Sequence, residues 1–474
     1  MEGGRGSSAA DACNHELCVV PAGQHVAAIN VCDTLSRWHG DCPRYGAPCE
    51  IGHFSVRGEG EDFEYIDGAV AKRYLRARIP WRPMLNLNTG YAKAVRIMWE
   101  SVTPRETLLR WVILNKDKVG MCSPDEEAPS SETKSIRTDF ICRRSTLSIV
   151  MRTPYELDKG WRLVACRHKG IIYLHQHPTM EHVHRSLEER GDTIIDRMTY
   201  WGTKFHRSMT TTMDSGKSTR KSINWRHPST PVYTTVLDYS QIQYLFHHFD
   251  PNCTATPAFA WQARARIIDA RPAGLGANFY DIAGSQAEPG VDPQEDELLR
   301  EGDGYYTVLL CQLGSHSIVM GGEVKAVDPS VECKLGSTAG YVEFKTNCVL
   351  STEWQRRRFH ENKLFQWWAQ ARLGGVPKGL CAFRDKNGIV LHIEQFDFIN
   401  MPDMAEGLWS EEVCMRFCNH LLSFIKEHVE GNDGRTVYHF EYVPSSREIV
   451  CKRLTNPTKL YRLPDWFLEA FEDC

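Results

Sequence analysis

The sequence lacks several features that would settle its class at once. It has no run of about 18 uninterrupted apolar residues, so no bilayer-spanning helix is expected. The opening residues, MEGGRGSSAADA, carry no apolar h-region, which points away from a secretory signal and toward an intracellular protein. No internal repeat, collagen-like period or coiled-coil pattern is present. Charge of one sign is missing too: the formal balance of −4 neither demands nor excludes nucleic acid, because local patches decide that. The 17 cysteines form no compact secreted framework and read as reduced thiols.

Two familiar ligand motifs are incomplete. Near the N-terminus stand Cys13, His15, Cys18, Cys32, His39, Cys42 and Cys49, but zinc sites recur as regularly spaced pairs and these gaps are irregular. A poorly ordered extension over residues 1–46 is the better reading, with zinc as the alternative. Gly216-Lys217-Ser218 lacks the glycine that a phosphate loop needs five positions earlier, where Thr211 stands. His175, His177, His182 and His184 could ligate a metal, but a solvated turn around Pro178 explains them as well.

What is present is an ordinary globular composition: 474 residues, 42% apolar and 24% charged, enough for one enlarged domain or a few. Residues 105–116 have helical spacing, and 160–174 read as two strands around His168-Lys169-Gly170. Residues 212–300 change character, basic first and then acidic and rich in Gly and Pro, as an insertion would be. From 305 onward, Tyr305–Cys311, Ser317–Val324 and Gly340–Thr346 are strand-like. Thr352–Leu373 is a long helix stopping at Gly374-Gly375. Asn387-Gly388 marks a hairpin, Ser410–Glu430 is an amphipathic helix, and two strands close the chain. The fold class is mixed α/β (α+β), with central mixed sheets flanked by helices.

Residues two apart on a strand share a face. Glu323 and Lys325 therefore project together, as do Glu343 and Lys345, and if the strands are neighbours the two pairs converge. Lys363 and Gln370 lie on one side of the following helix. Carboxylates on adjacent strands beside a lysine suit metal-assisted phosphodiester cleavage. Taken alone, the pairs read equally as surface salt bridges.

YVEFKT, the helix ending KLFQWWAQ and GVPKGLCAFRDKNGIV resemble the DXO family of RNA 5′-end decapping and exonuclease proteins. LGSHSIVMGGEV, WSEEVCMRFCNHLLSF and RTPYELDKGWRLVACRHKGIIYL fit as well. The resemblance covers residues 50–210 and 305–474, within a domain read as 47–474 and interrupted at 212–300. It implies a two-metal nuclease-like pocket using Mg²⁺ or Mn²⁺, held by Glu323, Glu343 and the Phe344 carbonyl. It also implies catalytic roles for Glu323, Glu343, Lys345 and Gln370, and RNA or cap contacts from Arg143, Arg144, Ser145, Lys345 and Gln370.

Two positions depart from the family pattern. His206 stands where the resemblance calls for a glutamate, and Lys325 where it calls for an aspartate; Asp281 is an alternative for the missing acid. At 4 Å and an effective dielectric of 20, unit charges interact by about 4 kcal/mol, so exchanging an anion for a cation disfavours a nearby divalent ion by on the order of 10 kcal/mol before relaxation. Histidine is also a poor ligand for Mg²⁺, which prefers oxygen.

The expectation is an RNA 5′-end-binding protein with weakened or lost catalysis, as in the degenerate Cutoff-type members. The alternative is an active metal-dependent decapping hydrolase or 5′–3′ exonuclease removing incomplete or non-classical caps. The bland reading is a scaffold with an idle pocket. Arg356–Arg358 would extend a positive rim or form only a solvated helix face, and Trp354, Trp367 and Trp368 are expected to fill a core. The family further implies a nuclear location (alternatively cytoplasmic), no membrane, and a nuclear protein partner such as a 5′–3′ exonuclease or a transcription-associated factor.

Overall fold

The computed structural model describes residues 20–31, 42–58, 64–79, 83–94, 104–121, 137–179, 193–212, 299–300, 302–405 and 407–472. These belong to one unit, formed from residues 1–220 and 296–474; residues 221–295, Asp281 among them, lie outside the described residues. So do Cys13, His15, Cys18, Cys32, His39, His182, His184 and the Gly216-Lys217-Ser218 segment.

The strands in chain order are β1 (Gly23–Asn30), β2 (Cys49–Arg57), β3 (Glu64–Asp67), β4 (Tyr74–Leu75), β5 (Phe140–Arg143), β6 (Trp161–His168), β7 (Ile171–His177) and β8 (Thr210–Thr211). They continue as β9 (Gly304–Leu313), β10 (His316–Glu323), β11 (Ala326–Val327), β12 (Tyr341–Cys348), β13 (Lys378–Arg384), β14 (Val390–Asp397), β15 (Tyr438–Val443) and β16 (Glu448–Leu454). Ten build one mixed sheet in the order β1-β16-β15-β6-β7-β5-β10-β9-β2-β3. The other six form a second sheet, β14-β13-β12-β11-β4-β8. The main helices are α1 (Pro104–Leu114), α2 (Arg144–Arg152), α3 (Ile194–Met209), α4 (Glu353–Arg358), α5 (Phe365–Gly374) and α6 (Glu411–His428). None of the described helices is long and apolar enough to cross a membrane.

Local chemistry accounts for the boundaries. Thr352 caps α4 in a capping box with Gln355. A π-helical segment, Phe359–Leu364, joins α4 to α5, and Gly375 ends α5 in the left-handed region at φ 61°. Ser410 accepts from the Val413 amide at the start of α6. Gly388, at φ 84°, makes the β13–β14 turn. Between the first sheet and α2, α5 and α6 lies the largest core, where Leu147, Met320, Trp368, Phe417 and Phe440 are buried. On the sheet's other face α1 packs Leu108, Leu109 and Trp111 against Ile141, Val308 and Val319.

Four expectations are corrected. Residues 23–30 are no loose extension: they pair with β16, and Ile29 and Val31 are buried. His175 and His177 lie in β7 rather than in a solvated turn, with His177 stacked on Tyr461 at 4.2 Å. Trp367 and Trp368 fill the core, but Trp354 is 69% exposed, because it lies in the first turn of α4 on the solvent side. Finally, the strands ending in Glu323 and carrying Glu343 are not neighbours. The chain leaves the first sheet at Glu323 and enters the second at Ala326, whose strand β11 pairs with β12 through Ala326–Val342.

Candidate nuclease-type site at the junction of the two sheets

The crossover sets the geometry. Glu323 ends β10, Val324 turns into the core with its amide on the Tyr305 carbonyl at 2.9 Å, and Lys325 precedes β11. The Lys325 Nζ reaches back to Glu323 Oε1 at 2.6 Å, each side chain about one-third exposed. On β12, Val342 and Phe344 face the small core beneath α3, which turns Glu343 and Lys345 to the opposite side. Glu343, 8% exposed, accepts the Phe344 amide at 3.0 Å and lies 3.7 Å from the Lys345 ammonium. Lys345 donates to Gln370 of α5 at 3.3 Å. Lys363 donates to Asn347 at 2.6 Å, so the two helix residues, expected on one side of the helix, both reach the face of β12 that carries Lys345.

Arg144 opens α2 and donates from Nη2 to the Glu323 carbonyl at 2.8 Å. Its side chain lies in a cleft that exists because two neighbours have no Cβ. A methyl at Gly374 would stand 2.6 Å from Arg144 Nη1, and one at Gly322 would stand 3.1 Å from its Nε. Ser145 follows in the first turn, half-buried, and that turn has no acidic residue. Arg143, the last residue of β5, is registered beside Gly321 and interacts electrostatically with Tyr306 and Glu323. Tyr306 is the cross-strand partner of Glu323. Sequence reasoning missed Tyr306, although counting outward from the Leu313–His316 turn would have paired the two.

His206, near the end of α3, is buried and points its Nε2 at the Lys325 carbonyl, 2.6 Å away. A carbonyl only accepts, so Nε2 carries the proton. Burial, reinforced by the Lys325 and Arg207 charges, holds its pKa well below 6.5, and the ring is neutral at pH 7. Burial opposes the charge on Lys325, but Glu323 and then Glu343 outweigh it and raise the pKa. Lys345 is shifted down, because burial exceeds the attraction of Glu343. Burial works against the Glu343 anion, yet Lys345, Arg144 and Lys325 together hold its pKa low.

The donor set does not fit a pair of divalent ions. Each carboxylate already faces a lysine, Nε2 of His206 is committed to a carbonyl, and no group of three or more His, Cys, Asp or Glu able to hold a metal occurs among the described residues. The Phe344 amide is spent on Glu343, and its aromatic ring packs against His206 at 5.3 Å. Arg356 and Arg357 pair with Glu353 and Glu361, and Arg358 lies over the Trp354 ring, so this stretch forms a solvated helix face.

A strand ending in glutamate, a Glu-x-Lys strand and a helix presenting glutamine to that lysine make the frame of a nuclease-class protein. Comparison with known proteins then gives the family. The profile described as RAI1 like PD-(D/E)XK nuclease matches residues 46–237 and 279–468, and the chain belongs to that family. The match runs into both flanks of the 212–300 segment that the sequence reading sets aside. The decapping and exoribonuclease protein of Xenopus laevis is 26% identical over 455 residues, covering 93% of this chain and 90% of the relative. That of Homo sapiens is 25% identical over 440 residues, covering 91% and 87%. The Scheffersomyces stipitis Rai1 crystal structure, with (3′-NADP)⁺ and calcium, superposes with a TM-score of 0.65 at 16% identity, covering 95% of this chain and all of the other. Candida albicans Rai1, in complex with pU5-Mn²⁺, gives 0.62 at 17% identity, covering 91% and 97%. These likenesses fix the mixed α/β nuclease fold.

Proposed function

We propose that this chain is a decapping-nuclease family member that binds RNA 5′ ends in the junction pocket and hydrolyses them weakly or not at all. The observation that carries this is the Lys325–Glu323 pair, which sets an ammonium against the first carboxylate of the site. Arg143, Arg144 and Lys345 supply the positive lining for the RNA end, with Ser145 and Gln370 at its edge. Purified protein incubated with 5′-monophosphate, NAD-capped and unmethylated-capped RNA in Mg²⁺ or Mn²⁺ is expected to release no product above background. It is still expected to bind the RNA, with affinity falling on Arg144→Ala or Lys345→Ala. Unchanged binding in both variants would discard the pocket.

A second reading rests on the half of the site that keeps the family arrangement, in which ionised Glu343, Lys345 and Gln370 stand in one chain of contacts. An enzyme built on that half would use a single Mg²⁺ or Mn²⁺ near Glu343 and the Phe344 carbonyl. Metal-dependent cap release abolished by Glu343→Gln establishes that reading and removes the first. The family resemblance also favours a nuclear setting and a partner that is a 5′–3′ exonuclease or transcription-associated factor. Fractionation and co-purification test both.

A further inference from the structure

We infer that Lys325 is a built-in replacement for a divalent ion, and that the junction pocket holds a terminal phosphomonoester, the 5′-phosphate of an RNA, without any metal. This deepens the end-binding reading above and rests on it. Lys325 pairs with Glu323 at 2.6 Å, Lys345 lies 3.7 Å from Glu343, Arg144 donates to the Glu323 carbonyl, and Arg143 ends the strand beside Gly321, so four cationic side chains stand around two carboxylates with a formal excess of two positive charges. A phosphomonoester carries about −1.5 to −2 at pH 7, close to the excess, whereas a phosphodiester carries one charge and a 5′-hydroxyl none.

The arrangement is built rather than incidental. The Arg144 guanidinium is seated between Gly322 and Gly374 and fixed on the Glu323 carbonyl, which leaves further N–H groups of its fork to donate. Lys345 is held on Gln370 and beside Glu343. Lys325 is anchored at its backbone by His206, while the ammonium of its one-third-exposed side chain sits on one oxygen of Glu323 and has two N–H donors left. A phosphate entering between the two lysines meets both ammoniums and Arg144, with no cation to be recruited. Such binding weakens as monovalent salt rises and gains nothing from divalent ions.

The test uses the full chain and one oligoribonucleotide sequence carrying a 5′-phosphate or a 5′-hydroxyl, titrated by fluorescence anisotropy in EDTA and again in Mg²⁺ or Mn²⁺. The phosphorylated end is expected to bind about tenfold or more tighter in EDTA, the scale of one charge-assisted hydrogen bond. Adding either metal leaves that ratio unchanged, and Lys325→Gln and Lys345→Gln each reduce it toward unity. Inorganic phosphate in EDTA raises the melting temperature of the unmodified protein, a readout that needs no variant. A preference that appears only with Mg²⁺ or Mn²⁺ overturns the inference and leaves the end-binding reading standing, as does equal binding of the phosphorylated and hydroxyl ends that is still lost on Arg144→Ala. No RNA binding in either condition overturns the two together.

Discussion

His206 and Lys325 are bonded to each other: the imidazole Nε2 donates to the Lys325 carbonyl at 2.6 Å. The two positions at which the family resemblance calls for acids are thus one unit, a neutral ring bracing the backbone that presents an ammonium. Reversing one position alone leaves the other in place, so the pair has to be changed together.

The first prediction follows from that coupling. The double change His206→Glu with Lys325→Asp removes one cation and adds two carboxylates beside Glu323 and Glu343, which creates a donor set suited to Mn²⁺. The double variant is expected to gain thermal stability in Mn²⁺, by about 2.7 kcal/mol at a hundredfold excess over its Kd, and the parent none. Scanning fluorimetry with and without the metal distinguishes the two. Equal shifts in both proteins would show that the lysine is no barrier to the ion.

Glu343 is the buried anion of the site, and removing it leaves Lys345 uncompensated. Glu343→Ala is expected to cost roughly 3 kcal/mol, the scale for breaking a buried pair on one side. Urea unfolding measures it. Because the folded-state pKa of Glu343 is depressed, its contribution is present above the unfolded value and lost as pH falls below about 4.5 through the lower folded one.

His439, on β15, provides a second acid-sensitive element remote from the pocket. Burial lowers its pKa to about 4, with Glu441 on its own strand opposing and Arg162 and Lys452 of the adjacent strands reinforcing. The unfolded chain takes up the proton first, so the stabilisation is complete above about 6.5 and lost as pH falls toward about 4. The full loss is roughly 3.5 kcal/mol, at about 1.4 kcal/mol per unit for a pKa lowered from 6.5 to about 4. His439→Leu is expected to flatten the melting temperature across that window relative to the parent.

Gly374→Ala tests the Arg144 seat without touching a charged residue. The added methyl must displace a guanidinium nitrogen 2.6 Å away, which is the far end of a flexible side chain. The expected result is an RNA affinity reduced about tenfold with stability lowered by about 1 kcal/mol or less. A variant that binds as well as the parent would show that Arg144 keeps its role from another rotamer.

Much of this was legible in the chain. The alternation in YVEFKT puts Glu343 and Lys345 on one face, and the β-branched runs and Asn387-Gly388 mark strands and a hairpin that the structure contains. The junction was not legible, because strand periodicity gives faces within one sheet and does not say where the chain changes sheets. Glu323 and Lys325 were expected on one strand, whereas they straddle the passage between two. The Arg144 seat was hidden for a related reason: Gly322 and Gly374 are far apart in sequence, and their shared neighbour emerges only when α5 packs beside α2.

The ladder between β1 and β16 bears on how the protein can be handled. A chain begun after Asn30 would leave the edge of β16 with unmet amides and carbonyls along EIVCKRL, an invitation to self-association through strand addition. A terminal tag is therefore better placed ahead of Gly23 with room to spare than grafted directly onto β1.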